Sequence, residues 1–225
     1  MKKDKINIVY EDKFIIVVNK PAKLLTISTD NEKERTLFHK VISYEKSKNK
    51  NNKVFIVHRL DRDTSGLIVF AKSEKVKKIL QDNWDKNVKR KYVAVVEGKV
   101  EKECGTIKNY LKETSTFMTY SSDKPNDGKL AITKYKVLNK SRAYTLVDIE
   151  ILTGRKNQIR VHMNDMKNPI IGDKKYGAKT NPLNRLGLHA YLLEFKHPTT
   201  NQLITFETKV PSIFLNMFKK KDINE

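Results

Sequence analysis

Val57-His58-Arg59-Leu60-Asp61-Arg62-Asp63-Thr64-Ser65-Gly66-Leu67-Ile68-Val69-Phe70 reads as strand, polar loop, strand. Residues 54–57 and 67–71 are apolar, β-branched and aromatic runs, and HRLDRDTSG at 58–66 separates them. Two apolar strands pinning a polar loop hold its side chains on a rigid support, as a reacting group requires. Asp61 stands between Arg59 and Arg62 in the chain. Two guanidiniums nearby would keep its carboxylate ionised and acceptor-only. Such a carboxylate is a candidate nucleophile or stabiliser of positive charge; the plain alternative is an Asp–Arg pair that caps a loop.

Outward from this loop, strands outnumber helices. Residues 6–10 and 14–18 read as a hairpin or two adjacent strands, and 24–27 as a further extended segment. Apolar residues at 37, 38, 41, 42 and 44 predict a helix over 36–44, and Ser73 caps a second over 74–84. Strands are expected at 91–100, 106–111, 114–120, 130–138, 143–152, 186–195 and 203–208, a helix at 157–166, and a short helix after Pro211. This is an α+β pattern: a mixed, mostly antiparallel central sheet flanked by a few helices. No repeat and no linker divides the chain, so one domain over 1–225 is expected, with a core at about 6–210, a basic loop at 45–53 and a frayed tail at 219–225.

The 225 residues carry 46 Lys and Arg against 26 Asp and Glu, a formal net charge of +20, yet 38% are apolar. That apolar share supports a folded core, and the charge favours a polyanionic partner. Only eight of the cations are Arg, and lysine also serves as solvated surface. Two runs are more pointed than the total: KSKNKNNK at 46–53, an exposed loop, and KNVKRK at 86–91, which leads into a strand and places Lys89 and Arg90 as phosphate contacts. A single Cys excludes a disulfide framework or a cysteine zinc cage. The longest apolar run near the N-terminus is five residues, too short for a secretory signal, and no segment is long enough to span a membrane. A cytoplasmic protein without a membrane partner is expected.

HRLD-x-x-TSG followed by an apolar strand resembles the signature of the RluA family of pseudouridine synthases. Further stretches agree in order and spacing: Tyr10-Glu11-Asp12 with Asn19-Lys20-Pro21-Ala22; Lys91-Tyr92-Val93-Ala94-Val95-Val96-Glu97-Gly98; Gly128-Lys129-Leu130-Ala131-Ile132-Thr133-Lys134-Tyr135; and Gly154-Arg155-Lys156-Asn157-Gln158-Ile159-Arg160 with Gly172-Asp173-Lys174-Lys175-Tyr176-Gly177 and Leu188-His189-Ala190. The resemblance implies the pseudouridine synthase fold with its active-site cleft across the sheet. It also implies isomerisation of uridine to pseudouridine within structured RNA, ribosomal or transfer, without cofactor or metal. Asp61 then matches the essential aspartate, Tyr92 the active-site tyrosine and Arg160 the cation that pairs with the aspartate. Arg59 matches an arginine that enters the RNA as the base is displaced, with Arg62, Lys89 and Arg90 as further RNA contacts. His58, Thr64 and Gly66 would position the loop, and His162 and His189 are expected to be structural. The resemblance covers the catalytic domain alone, without the S4-type RNA-binding domain of many relatives.

Two positions depart from the family pattern: Lys156-Asn157 stands where Thr-His is usual, and Lys23 where glycine is usual. A monomer that needs no protein partner is the expected assembly. The competing readings are a non-catalytic RNA-binding module on the same fold and, more weakly, a basic DNA-binding protein. No helix-turn-helix or zinc-finger pattern favours the latter.

Overall fold

The computed structural model describes residues 6–28, 32, 34–125 and 127–219. In chain order the strands are β1 (Ile8–Glu11), β2 (Ile15–Lys20), β3 (Phe55–Ile56), β4 (Ser65–Ala71), β5 (Lys89–Glu97), β6 (Cys104–Glu113), β7 (Thr119–Ser122), β8 (Lys129–Lys140), β9 (Tyr144–Ile151), β10 (Leu188–Lys196) and β11 (Leu203–Glu207). The helices are α1 (Leu37–Lys48), α2 (Glu74–Asp82), α3 (Trp84–Asn87), α4 (Gln158–Asp165) and α5 (Ser212–Leu215). The α+β expectation holds, with strand pairing mostly antiparallel. The chain divides into two compact units, the described residues up to Arg90 with Ala190–Thr208, and Lys91–His189 with the described residues beyond Thr208.

In the first unit the strand order is β1-β2-β4-β10, with β3 also on β4 and β11 on β10. Strands β2 and β4 are buried almost throughout, which is why IIVV and SGLIVFA read as continuous apolar runs rather than alternating ones. Their odd-numbered side chains, Ile15, Val17, Leu67 and Val69, pack with Val76 and Leu80 of α2. On the even-numbered side, Phe70 meets Phe38 of α1 with ring centroids 6.3 Å apart. Each helix starts where the sequence places a hydroxyl cap: Thr36 accepts from His39 N at 3.1 Å, and Ser73 from Val76 N at 3.3 Å.

Helix α1 runs through Lys48, so half of the expected basic loop at 45–53 is helical. The cause is Glu45, a buried carboxylate that ion-pairs with Lys48 at 3.1 Å and Lys72 at 3.3 Å and accepts from the Asn52 side chain at 3.2 Å. A charge taken out of water must be paired, and here that requires one more helical turn. Glu11 joins the same cluster. Burial acts to raise its pKa, but hydrogen bonds from Lys48, Lys72 and Tyr44 outweigh burial and hold it at about 2.

The second unit orders its strands β5-β9-β8-β6-β7. Helix α4 and the 3-10 turn Lys174–Tyr176 cover them, with Val161 and Tyr176 packed on Leu111 and Ala131. Two extended segments expected from the sequence differ. Residues 114–118 form a turn, in which Thr114 N donates to Met118 O at 2.7 Å, and the strand begins only at Thr119. Residues 24–27 hold a single bridge, Leu25 to Thr36, because the chain there turns at Ala22 and Lys23. No helix among the described residues is long and apolar enough to cross a membrane. The frayed tail expected at 219–225 lies, beyond Lys219, outside the described residues.

Lys23 adopts φ 66°, the left-handed region that favours glycine. Its exposed side chain compensates little. Lys23→Gly is therefore expected to stabilise the protein by about 1 kcal/mol, read as a higher urea midpoint at unchanged slope.

Candidate active site

The loop that carries Asp61 is fixed at successive backbone groups. Thr26 Oγ1 donates to Leu60 O at 2.7 Å and accepts from Leu60 N at 3.3 Å. Thr64 N donates to Asp61 O at 3.2 Å, closing the turn. Lys20 contributes an anchor that the sequence reading missed. Its ammonium, 0% exposed, donates to Pro21 O at 3.0 Å, Leu24 O at 2.6 Å and Arg62 O at 2.9 Å. A buried charge survives only where its hydrogen bonds are met, and these carbonyls meet them. The Asn19-Lys20-Pro21 triplet thus ties the N-terminal segment to the Asp61 loop. Asp61 itself is partly exposed.

Gly66, the second residue of β4, sits at φ 121°, and an added Cβ would stand 2.1 Å from Ala190 O. Only glycine admits the β10 backbone so closely. His58 secures the outgoing side. Its Nε2 accepts from Val69 N at 3.1 Å, and its ring lies 4.3 Å from that of Trp84. That acceptor role assigns the proton to Nδ1. Burial, and then the charge of Arg90, push the His58 pKa down to about 3, so the imidazole is a neutral brace and not an acid or base at neutral pH. Gln81 of α2 adds a bond to Val57 O at 3.1 Å.

The geometry corrects one expected RNA contact, Arg90, while the Arg62 side chain stays on the surface, 63% exposed. Arg62 was expected to brace Asp61, but its guanidinium turns to Asp63, Nε to Oδ1 3.3 Å, so it neutralises a different carboxylate. Arg90 is 4% exposed; it donates to Asp85 at 3.1 Å and lies 5.9 Å from the Trp84 ring. The strand period turns Arg90 inward, so it supports Trp84 and not a phosphate on the surface. Lys89, one residue earlier, faces solvent, as does Arg59.

In the second unit, Tyr92 is buried in β5, opposite Ile149 of β9. Arg160 of α4 is held by side chains of its own unit. Its Nε and Nη2 donate to the two oxygens of Asp173 at 2.7 and 2.8 Å, its Nη1 donates to Asn157 Oδ1 at 2.9 Å, and its guanidinium lies 4.7 Å from the Tyr176 ring. Asp173 has 1% of its side chain exposed. A bidentate fork on a buried carboxylate fixes both the plane and the direction of the guanidinium.

This cluster also accounts for one departure from the family pattern. Asn157 sits at φ 55° ahead of α4, a conformation asparagine tolerates, and its amide bridges Tyr176 Oη (2.9 Å) to Arg160. Lys156 turns away, ion-paired with Glu113.

The histidine of the same motif is structural, as expected. Gln158 Nε2 donates to Thr133 Oγ1 at 2.9 Å, so the Thr133 hydroxyl is left to donate to His162 Nδ1 at 2.8 Å, and His162 Nε2 donates to Asn109 Oδ1 at 2.8 Å. Burial pushes the His162 pKa down to about 4. The native state therefore binds fewer protons than the unfolded chain between about pH 4 and 6.5, and its stability, complete above 6.5, falls as the pH drops through that window. The expected slope is about 1.4 kcal/mol per pH unit for His162 alone. His58 and His189, also depressed by burial, add to it in the same direction. The Glu11 contribution is lost only below about pH 4.5, so urea midpoints at pH ~7.5 and ~5 isolate the histidines.

Comparison with known proteins places these features in context. The family described as RNA pseudouridylate synthase matches residues 14–165. The uncharacterized RNA pseudouridine synthase YhcT of Bacillus subtilis is 36% identical over 215 residues, covering 94% of this chain and 71% of that protein. The ribosomal large subunit pseudouridine synthase D of Haemophilus influenzae is 32% identical over 227 residues, covering 94% and 69%. Among solved structures, human RNA pseudouridylate synthase domain containing 4 superposes with a TM-score of 0.77 at 23% identity, over 93% of this chain and 90% of that one. That last likeness speaks to the fold alone.

Proposed function

The chain belongs to the RNA pseudouridylate synthase family, and from that premise we propose that Asp61 acts on the glycosidic bond of a uridine in large-subunit ribosomal RNA. The reaction is an isomerisation. The bond from ribose C1′ to uracil N1 breaks, the freed uracil turns, and C1′ bonds to C5; N1 gains a proton and C5 loses one, so no oxidant, reductant or energy source is consumed.

The observation that carries this reading is the mounting of Asp61: a partly exposed carboxylate on a loop held at Leu60, Arg62 and Thr64. Fixed charge aimed at a developing oxocarbenium is worth most when it does not reorganise during the reaction. A uridine in structured RNA must leave its stack to reach such a group. Arg59, exposed beside Asp61, suits the role of the side chain that fills the vacated place. Tyr92 is assigned the face against which the uracil turns, and Arg160 the cationic partner of the reacting carboxylate; both follow from the family motif. Residues 1–225 are assigned to one cytoplasmic catalytic domain, acting as a monomer. The choice of ribosomal over transfer RNA is supported by the H. influenzae relative, whose name states a ribosomal large-subunit activity.

The test is pseudouridine mapping of ribosomal and transfer RNA from cells with and without the gene, then modification of the depleted RNA by purified protein. Loss and restoration of a large-subunit position is the expected result. A missing transfer RNA position instead would overturn the choice of substrate. RNA binding with no pseudouridine in any RNA would favour the non-catalytic module.

A further inference from the structure

The β6–β7 hairpin carries features that the reaction does not use. At its tip, Phe117 is 68% exposed and sits at φ 58°. A bulky side chain there is a conformational outlier, and a large exposed ring gives up its hydrophobic gain as well. The tip is nevertheless held firmly: Phe117 N donates to Thr114 O at 3.0 Å, Met118 N to Thr114 Oγ1 at 3.1 Å, and Lys175 Nζ to Phe117 O at 3.0 Å. Strain that the surroundings enforce, on a side chain contributing little to packing, points to a use outside the fold.

The surroundings indicate which use. Next to the tip lies a cavity of about 370 Å³, within the range of small-molecule clefts. Lys112, Lys129, Arg155 and Lys156 line it, against the single carboxylate of Glu113. Lys156 Nζ also lies 5.1 Å from the Phe117 ring, which joins the cavity to the tip. A second exposed aromatic, Tyr120, stands opposite Lys112 in the hairpin register. Aromatic faces interleaved with cations are the arrangement that holds unpaired nucleotides: bases stack on the rings while lysines meet the phosphates. A duplex hides its base faces and gains nothing from the rings.

We propose that this hairpin is a second RNA-contacting site, in which Phe117 stacks an unpaired base of the substrate and Lys129 and Lys156 take its flanking phosphates. The proposal rests on the RNA-directed reading above and deepens it. It specifies a substrate with an unpaired nucleotide outside the uridine that reacts.

Phe117→Gly tests it with two readouts that move in opposite directions. Relief of the backbone raises the urea midpoint, while affinity for a fluorescein-labelled single-stranded RNA dodecamer falls about 10-fold, the scale of one lost base stack. Affinity for a blunt RNA duplex of the same length stays as in wild type. Phe117→Trp restores single-strand affinity, and Lys129→Ala lowers the slope of log affinity against log salt by about 0.7. A more stable Phe117→Gly protein that binds the single strand like wild type would overturn the proposal, and so would equal losses on single strand and duplex. Pseudouridine formation measured in parallel separates the two readings. If wild type makes none while Phe117→Gly still loses single-strand affinity, the stacking site stands and the synthase assignment falls.

Discussion

Asp61→Asn is expected to lower pseudouridine formation by about 10⁴-fold or more, the scale on which an enzyme loses rate when its reacting group is removed. The substitution removes charge and nucleophilicity but keeps shape, and the loop is held at its backbone: Leu60 by Thr26, Arg62 by Lys20, Thr64 by its turn. Stability and RNA affinity should therefore change little, the affinity because the cations remain. The check is single-turnover formation of pseudouridine at saturating protein, with the urea midpoint and RNA affinity measured on the same preparation. Turnover by Asp61→Asn within ten-fold of wild type would remove Asp61 from the chemistry and leave the motif a structural one.

Asp173→Ala is expected to be the most damaging change outside the Asp61 loop. It leaves the Arg160 guanidinium, 14% exposed, without its bidentate partner. Breaking a buried pair from one side costs about 3–5 kcal/mol, because the remaining charge stays desolvated. The 3-10 turn that follows keeps its main-chain bonds, since residue 173 O still accepts from Tyr176 N at 3.0 Å and Ala178 N at 3.1 Å, so the loss falls on the Arg160 side chain. Asp173→Asn keeps one acceptor and the shape but not the negative charge, and should recover part of the stability while leaving Arg160 less firmly aimed. A positioning role for Asp173 thus predicts that Asp173→Asn folds well yet turns over more slowly, with kcat reduced more than KM is raised. Equal stability of Asp173→Ala and wild type would sink the account of the pair.

The sequence is a good guide wherever burial fixes the composition of a run. IIVV at 15–18 and the run from Ser65 to Ala71 are buried on both faces, and their composition announces it. Thr36 and Ser73 mark helix starts because their hydroxyls serve only there. The Asp61 loop was legible from its two flanking strands and the family motif. What escaped depends on partners distant in the chain. Nothing local reveals that Lys20 bonds to Arg62 O, that Glu45 needs Lys72, or that Arg160 closes on Asp173. Arg90 escapes for another reason: charge in a sequence says nothing about whether a guanidinium faces water or is turned inward onto a neighbouring carboxylate. The hairpin tip at 114–118 was read as strand because its residues suit one, whereas side-chain bonds at Thr114 and the left-handed Phe117 turn the chain back.

The Lys20 ammonium gives the order of events during chain collapse a functional meaning. It spans 42 residues to reach Arg62 O, so closing the turn around Asp61 does not by itself finish the loop. Until the second strand of the chain has docked and buried its terminal cation, one carbonyl of that turn lacks its donor, and the carboxylate beside it is still loosely held. Recovery of turnover after dilution from denaturant should accordingly follow the seating of the amino-terminal segment, with the reactive loop the last part of its unit to set.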